Sequence, residues 1–185
     1  MRFRFWIFIT IGIFIIGIAA GIMVSIAMPA GIIDIFSEQL QAFDELGSSL
    51  GPFQISTLIF IFFKNALALL LSFAFSPFLC LLPLLAILIN SSLISFISVL
   101  VVEEESLAYL LAGLLPHGIF EIPAFIIGEA AALSFGVATI LALFSRNSGM
   151  SLQNVFKRNL KYLLLAMVLL VPAAIMETYV TPLLL

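Results

Sequence analysis

The chain has 185 residues, of which 64% are hydrophobic and 9% charged, with a mean hydropathy of +1.32. Soluble domains carry about 25% charged residues, so this composition excludes a water-covered globular surface and leaves the bilayer as the solvent. The net charge of −3 and the seven scattered Lys and Arg residues exclude the basic stripe that nucleic-acid binding needs, while a lone cysteine, Cys80 in an apolar run, excludes an intrachain disulfide or multi-cysteine metal centre and reads as a packed, inert thiol.

Arg2 and Arg4 precede residues 5–28, an apolar stretch free of charge. It is longer than the roughly 7 to 15 residues of a signal-peptide core and reads as an uncleaved first span. Pro29 and Gly31 end it. Residues 32–50 then carry Asp34, Glu38, Asp44 and Glu45 among apolar residues at helical spacing, which predicts an acidic amphipathic helix outside the hydrocarbon. A second span covers residues 55–75, interrupted by Lys64 and Asn65, and Ser76 with Pro77 allows a tight reversal. The third covers 78–102 and is closed in water by Glu103, Glu104 and Glu105, since three adjacent carboxylates cannot be left in hydrocarbon. Residues 106–122 are the least regular part: ten apolar residues, too few to cross, run into Pro116, His117, Gly118 and Glu121. This spacing predicts a re-entrant or broken helical segment sheltered by protein or a water-filled cavity. A full span over 123–144, a basic loop over 145–161 holding Arg146, Lys157, Arg158 and Lys161, and a last span over 162–179 complete the chain.

The predicted fold is therefore all-α, a single polytopic transmembrane bundle over 1–185 with about five full spans plus the broken segment. With five crossings every basic segment falls on one side and both acidic segments on the other, which predicts a multi-pass cell-membrane protein with its N-terminus cytoplasmic and its C-terminus extracytoplasmic.

Gly17, Gly21 and Ser25 make a smooth stripe on the first span, and Ala124, Gly128, Ala132 and Gly136 make another on the fourth. Such stripes let helices approach closely, more often within one subunit than between copies. The charges inside apolar stretches are Lys64, His117, Glu121, Glu129 and Glu177, and each must find a partner, water or a helix end. His117 and Glu121 are spaced to share a helical face, with Glu129 two turns further on. A polar nucleus of Lys64, Asn65, His117 and Glu121, extended to Glu129 and Glu177, is predicted. It suits proton relay or cation binding, or a purely structural pairing that fixes helix register. One histidine without HExxH gives little support for zinc hydrolysis, and serine catalysis has no nucleophile-elbow context. No catalytic residue, metal or cofactor is expected. The expected partners are the lipid bilayer, other membrane or envelope proteins, and a second copy of the chain.

LLPHGIFEIPA at residues 114–124, IFFKNAL at 61–67 and METYVTP at 176–182 together resemble the stage II sporulation protein M family. The family-like residues are Asn65, Pro116, His117, Gly118, Glu121, Pro123, Glu177 and Pro182; Lys64 stands where Asn is common. The resemblance implies a multi-span membrane protein, and the function expected is that of a non-enzymatic membrane scaffold or assembly factor. In spore formers the family holds peptidoglycan-degrading partners at the septal membrane. Transport or permeation of a small ion or solute through the polar nucleus is the alternative.

Overall fold

The computed structural model describes residues 2–27, 51–144 and 151–185. They form five long helices: α1 (Phe3–Ala27), α2 (Ile55–Phe75), α3 (Leu81–Glu104), α4 (Leu107–Phe144) and α5 (Leu152–Ile175). A π-helical turn (Met176–Val180) and a 3₁₀ turn (Thr181–Leu183) prolong α5. All five are long and apolar enough to cross a membrane, and no strand occurs among the described residues. The amphipathic helix expected over 32–50 lies outside the described residues.

The helices carry apolar residues round most of their surface, as lipid demands. Phe8, Ile26, Phe63 and Val168 are more than 60% exposed, whereas Thr10, Ser72, Ser91, Glu129, Ser134 and Asn159 are buried. Lipid tails are as apolar as Leu, so no hydrophobic force drives one helix onto another there, and small or hydrogen-bonding residues collect at the contacts. α1 packs most extensively on α3, and α4 on α5. On α1, Gly17, Gly21 and Ser25 are buried. A Cβ at Gly21 would collide with the Ser92 carbonyl oxygen and Ser95 Oγ, and Ser92 Oγ donates to the Gly17 carbonyl at 2.9 Å.

The central helix is α4, whose Ala124, Gly128, Ala132 and Gly136 are all buried. Leu69 of α2 packs on Gly128, and the turn between α2 and α3 packs on Gly136 through the Ser76 carbonyl and Cys80 Sγ. In that turn Leu79 and Cys80 adopt left-handed φ values of 55° and 54°, reversing the chain within five residues. The third helix accordingly starts at Leu81 rather than at 78.

Two expectations are corrected. Residues 106–122 are neither re-entrant nor broken: Ser106 Oγ accepts the Tyr109 N–H at 3.1 Å as an N-terminal cap, and one 38-residue helix continues through Pro116 and Pro123. Each proline removes only one backbone hydrogen bond, whereas a chain break at membrane depth would expose several peptide groups to hydrocarbon. At 1.5 Å per residue α4 is about 57 Å long, so it crosses the hydrocarbon with turns to spare at its ends. The basic stretch expected as a loop over 145–161 is helical from Leu152 onward. Polar residues there extend the last span beyond the hydrocarbon without ending it, and 145–150 lie outside the described residues.

Contacts between helix ends fix the arrangement. Phe3 stacks on Tyr162 at 3.5 Å, and Phe156 packs on Phe73 and Phe135, so the starts of α1 and α5 share an end with the α2–α3 turn. At the opposite end the Phe53 N–H donates to the Thr178 carbonyl at 3.3 Å.

Candidate functional site

About halfway along α2 and α3, which are joined by one tight turn and then diverge, lies a cavity of about 460 Å³. Its polar lining comes from four elements: Lys64 and Asn65 of α2, Asn90 of α3, His117 and Glu121 of α4, and Glu177 of the π turn. Phe14, Ile94, Ile122 and Phe125 form apolar walls.

The helical spacing of α4 puts His117 and Glu121 one turn apart on the same face, with His117 Nε2 3.9 Å from Glu121 Oε2. Asn65 Nδ2 donates to the other oxygen, Glu121 Oε1, at 3.1 Å. His117 Nδ1 lies 3.5 Å from Thr181 Oγ1. Glu177 enters from the π turn, in which the Thr181 N–H reaches back five residues to the Met176 carbonyl. One donor atom from each of His117, Glu121 and Glu177 lies within 4.8 Å of the other two. His117 and Glu121 are only part-exposed, at 16% and 33% of their side-chain surface, so these groups face the cavity more than the surroundings.

Of the residues the sequence singles out, Lys64, Asn65, His117, Glu121 and Glu177 meet at this cavity. Glu129 does not line it. It is buried two turns further along α4, where Ser72 Oγ donates to Glu129 Oε2 at 2.5 Å and Oε1 has no hydrogen-bond partner among the described residues. The two contacts form successive rungs between parallel helices: Asn65 and Ser72 are seven residues apart on α2, Glu121 and Glu129 eight apart on α4, and Leu69 fills the space over Gly128 between them. Pro116 and Pro123 lie within α4, Gly118 is buried, and Pro182 lies in the 3₁₀ turn that follows Glu177. Sequence reasoning missed Ser72, Asn90 and Thr181. Ser72 lies two turns after Asn65, and Thr181 one turn after Glu177, so helical spacing carried the signal for both.

Five apolar spans enclosing a polar cavity define a polytopic integral membrane protein. The chain belongs to the stage II sporulation protein M family, whose model matches residues 10–182. It is 35% identical over 79 residues to an uncharacterized protein of Methanocaldococcus jannaschii, a match covering 43% of this chain and 44% of that relative. The shared stretch thus spans less than half of that protein's length. No solved structure matches the chain.

Proposed function

We propose that this is a non-enzymatic, multi-span protein of the cell membrane that binds a small cationic solute in the His117–Glu121–Glu177 cavity and takes part in its passage across the bilayer. The cavity carries this reading. Ionisable groups at membrane depth are costly and mark ion or substrate pathways. A space of 460 Å³ is room for a small solute with water. Two carboxylates against the Lys64 ammonium leave one formal negative charge, which favours a cation. Apolar residues of this volume would pack the same space at less cost if only helix register were at stake.

Arg2, Arg4, Lys157, Arg158 and Lys161 belong to the end shared by the starts of α1 and α5, while Glu103, Glu104 and Glu105 lie where α3 ends. By the preference for basic residues on the cytoplasmic side, the N-terminus lies inside and the C-terminus outside.

Purified protein in liposomes, assayed for proton, Na⁺, K⁺ and Mn²⁺ flux, tests the proposal. His117→Gln and Glu121→Gln keep polarity and volume, so both variants are expected to fold and to lose at least 90% of the flux. Full flux in both, or no flux of any of these ions with the unaltered protein, would sink it. A scaffold or assembly role is the second reading. Family membership favours it, and so do the Asn65–Glu121 and Ser72–Glu129 rungs, which tie α2 to α4 without any ligand. It expects unaltered partner binding in the same two variants and no flux in any of them.

A further inference from the structure

We propose that His117, Glu121 and Glu177 form a three-ligand site for a divalent first-row transition-metal cation, which makes such an ion the substrate class of the cavity. The assignment rests on the binding reading above and names its occupant.

Donors bound to one such ion at about 2.1 Å lie roughly 3 to 4.3 Å from one another. His117 Nε2 and Glu121 Oε2 already stand 3.9 Å apart, and the full set lies within 4.8 Å, so closing on an ion takes side-chain rotation and no movement of the backbone. The ligands come from rigid elements. Two lie one turn apart on α4, and the third is supplied by a single π-helical turn, a feature frequent at functional sites.

The surrounding contacts are those that orient metal ligands. Asn65 holds Glu121 Oε1, leaving Oε2 for the ion. Thr181 Oγ1, 3.5 Å from His117 Nδ1, sits where an acceptor fixes the tautomer with its lone pair on Nε2. One imidazole and two carboxylates suit Mn²⁺, Fe²⁺, Co²⁺ or Zn²⁺. Mg²⁺ and Ca²⁺ prefer all-oxygen sets and Cu⁺ prefers sulfur. Three protein ligands beside a cavity leave positions for water, as reversible binding requires and a closed structural site does not.

Lys64 lines the same cavity and acts as a competitor. Its ammonium and a divalent ion seek the same carboxylates, so removing it should tighten metal binding. A register-fixing ion network gives the opposite expectation, because there the loss of Lys64 only destabilises.

The test is titration of the chelator-stripped, full-length protein in detergent with Co²⁺, read by visible absorption and by metal content, with gel filtration and circular dichroism reporting the fold. One Co²⁺ per chain is expected. His117→Gln should weaken binding at least tenfold and shift the absorption bands as a nitrogen ligand is lost. Glu177→Gln should weaken it at least tenfold, and Lys64→Gln should tighten it several-fold. Glu129→Gln, outside the cavity, should bind as the parent does. No Co²⁺ uptake, or uptake indifferent to His117 and Glu177 in folded variants, overturns the assignment. Flux of protons, Na⁺ or K⁺ without Co²⁺ binding would overturn the metal and leave the cation cavity standing. Co²⁺ binding at these residues without flux would support the metal and remove transport.

Discussion

Glu121 and Glu129 stand on the same helix and both meet α2, yet their surroundings give them different work. Glu121 is bonded through one oxygen and turns the other toward His117 in a cavity. Glu129 is 1% exposed and bonded through Oε2 to Ser72, with packed helix on all sides. Its role follows from volume and from one hydrogen bond. Glu129→Gln keeps both and should leave stability within about 1 kcal/mol. Glu129→Ala removes the side chain from a closed interior and strands the Ser72 hydroxyl, which should cost about 3 kcal/mol. Thermal unfolding of the two variants in one detergent checks the contrast, and equal losses would show that the carboxylate charge, rather than its packing, is what α2 and α4 require. The sequence places Glu129 with His117 and Glu121 because helical periodicity records the face of a residue. It does not record where along that face a cavity ends. Glu177, sixty residues beyond His117, reaches the cavity through a π turn whose extra residue leaves no signature in hydropathy.

At the scale of the helix, the spans were legible because hydrocarbon sets their length and Glu103, Glu104 and Glu105 or the Arg and Lys residues mark where water begins. Pro116 and Pro123 misled because the rule that proline ends a helix is learned in water, where a freed carbonyl has a solvent to fall back on. In lipid the cheaper solution is to keep the helix, and α4 runs through both prolines. The small-residue stripes show the converse: spacing reveals them, but only packing tells how close the neighbour comes. Two glycines of α1 separate the cases. A Cβ on Gly12 would meet nothing within 4 Å, whereas one on Gly21 would strike the α3 backbone and Ser95 Oγ. Gly12→Ala should therefore be neutral or stabilising by up to about 1 kcal/mol through helix propensity alone, and Gly21→Ala should destabilise by about 1–3 kcal/mol. Unfolding midpoints of the two variants measure this, and a harmless Gly21→Ala would mean that α1 and α3 are less tightly seated than their contacts imply.

For the molecule as a whole, the number of crossings decides the topology. A re-entrant segment followed by a crossing and a single long crossing helix both bring the chain from the side of Glu105 to the side of α5's start, so the number of full crossings is five in either case. An odd number puts the termini on opposite sides, and the charge distribution predicts which is which: Arg2, Arg4, Lys157, Arg158 and Lys161 at one end, Glu103 to Glu105 at the other. Single cysteines introduced into a Cys80→Ala background test it. Glu104→Cys should react with a membrane-impermeant maleimide on intact cells, and Lys161→Cys only after permeabilisation. Cys80 itself is buried in the α2–α3 turn, at the end shared by the starts of α1 and α5, and is expected to stay unlabelled until the protein unfolds. The reverse pattern would invert the protein, and with it the side from which the proposed cation would enter. Labelling of both sites from outside would break the five-span arrangement, because Glu104 and Lys161 are separated by one helix, α4, and can share a side only if that helix fails to cross.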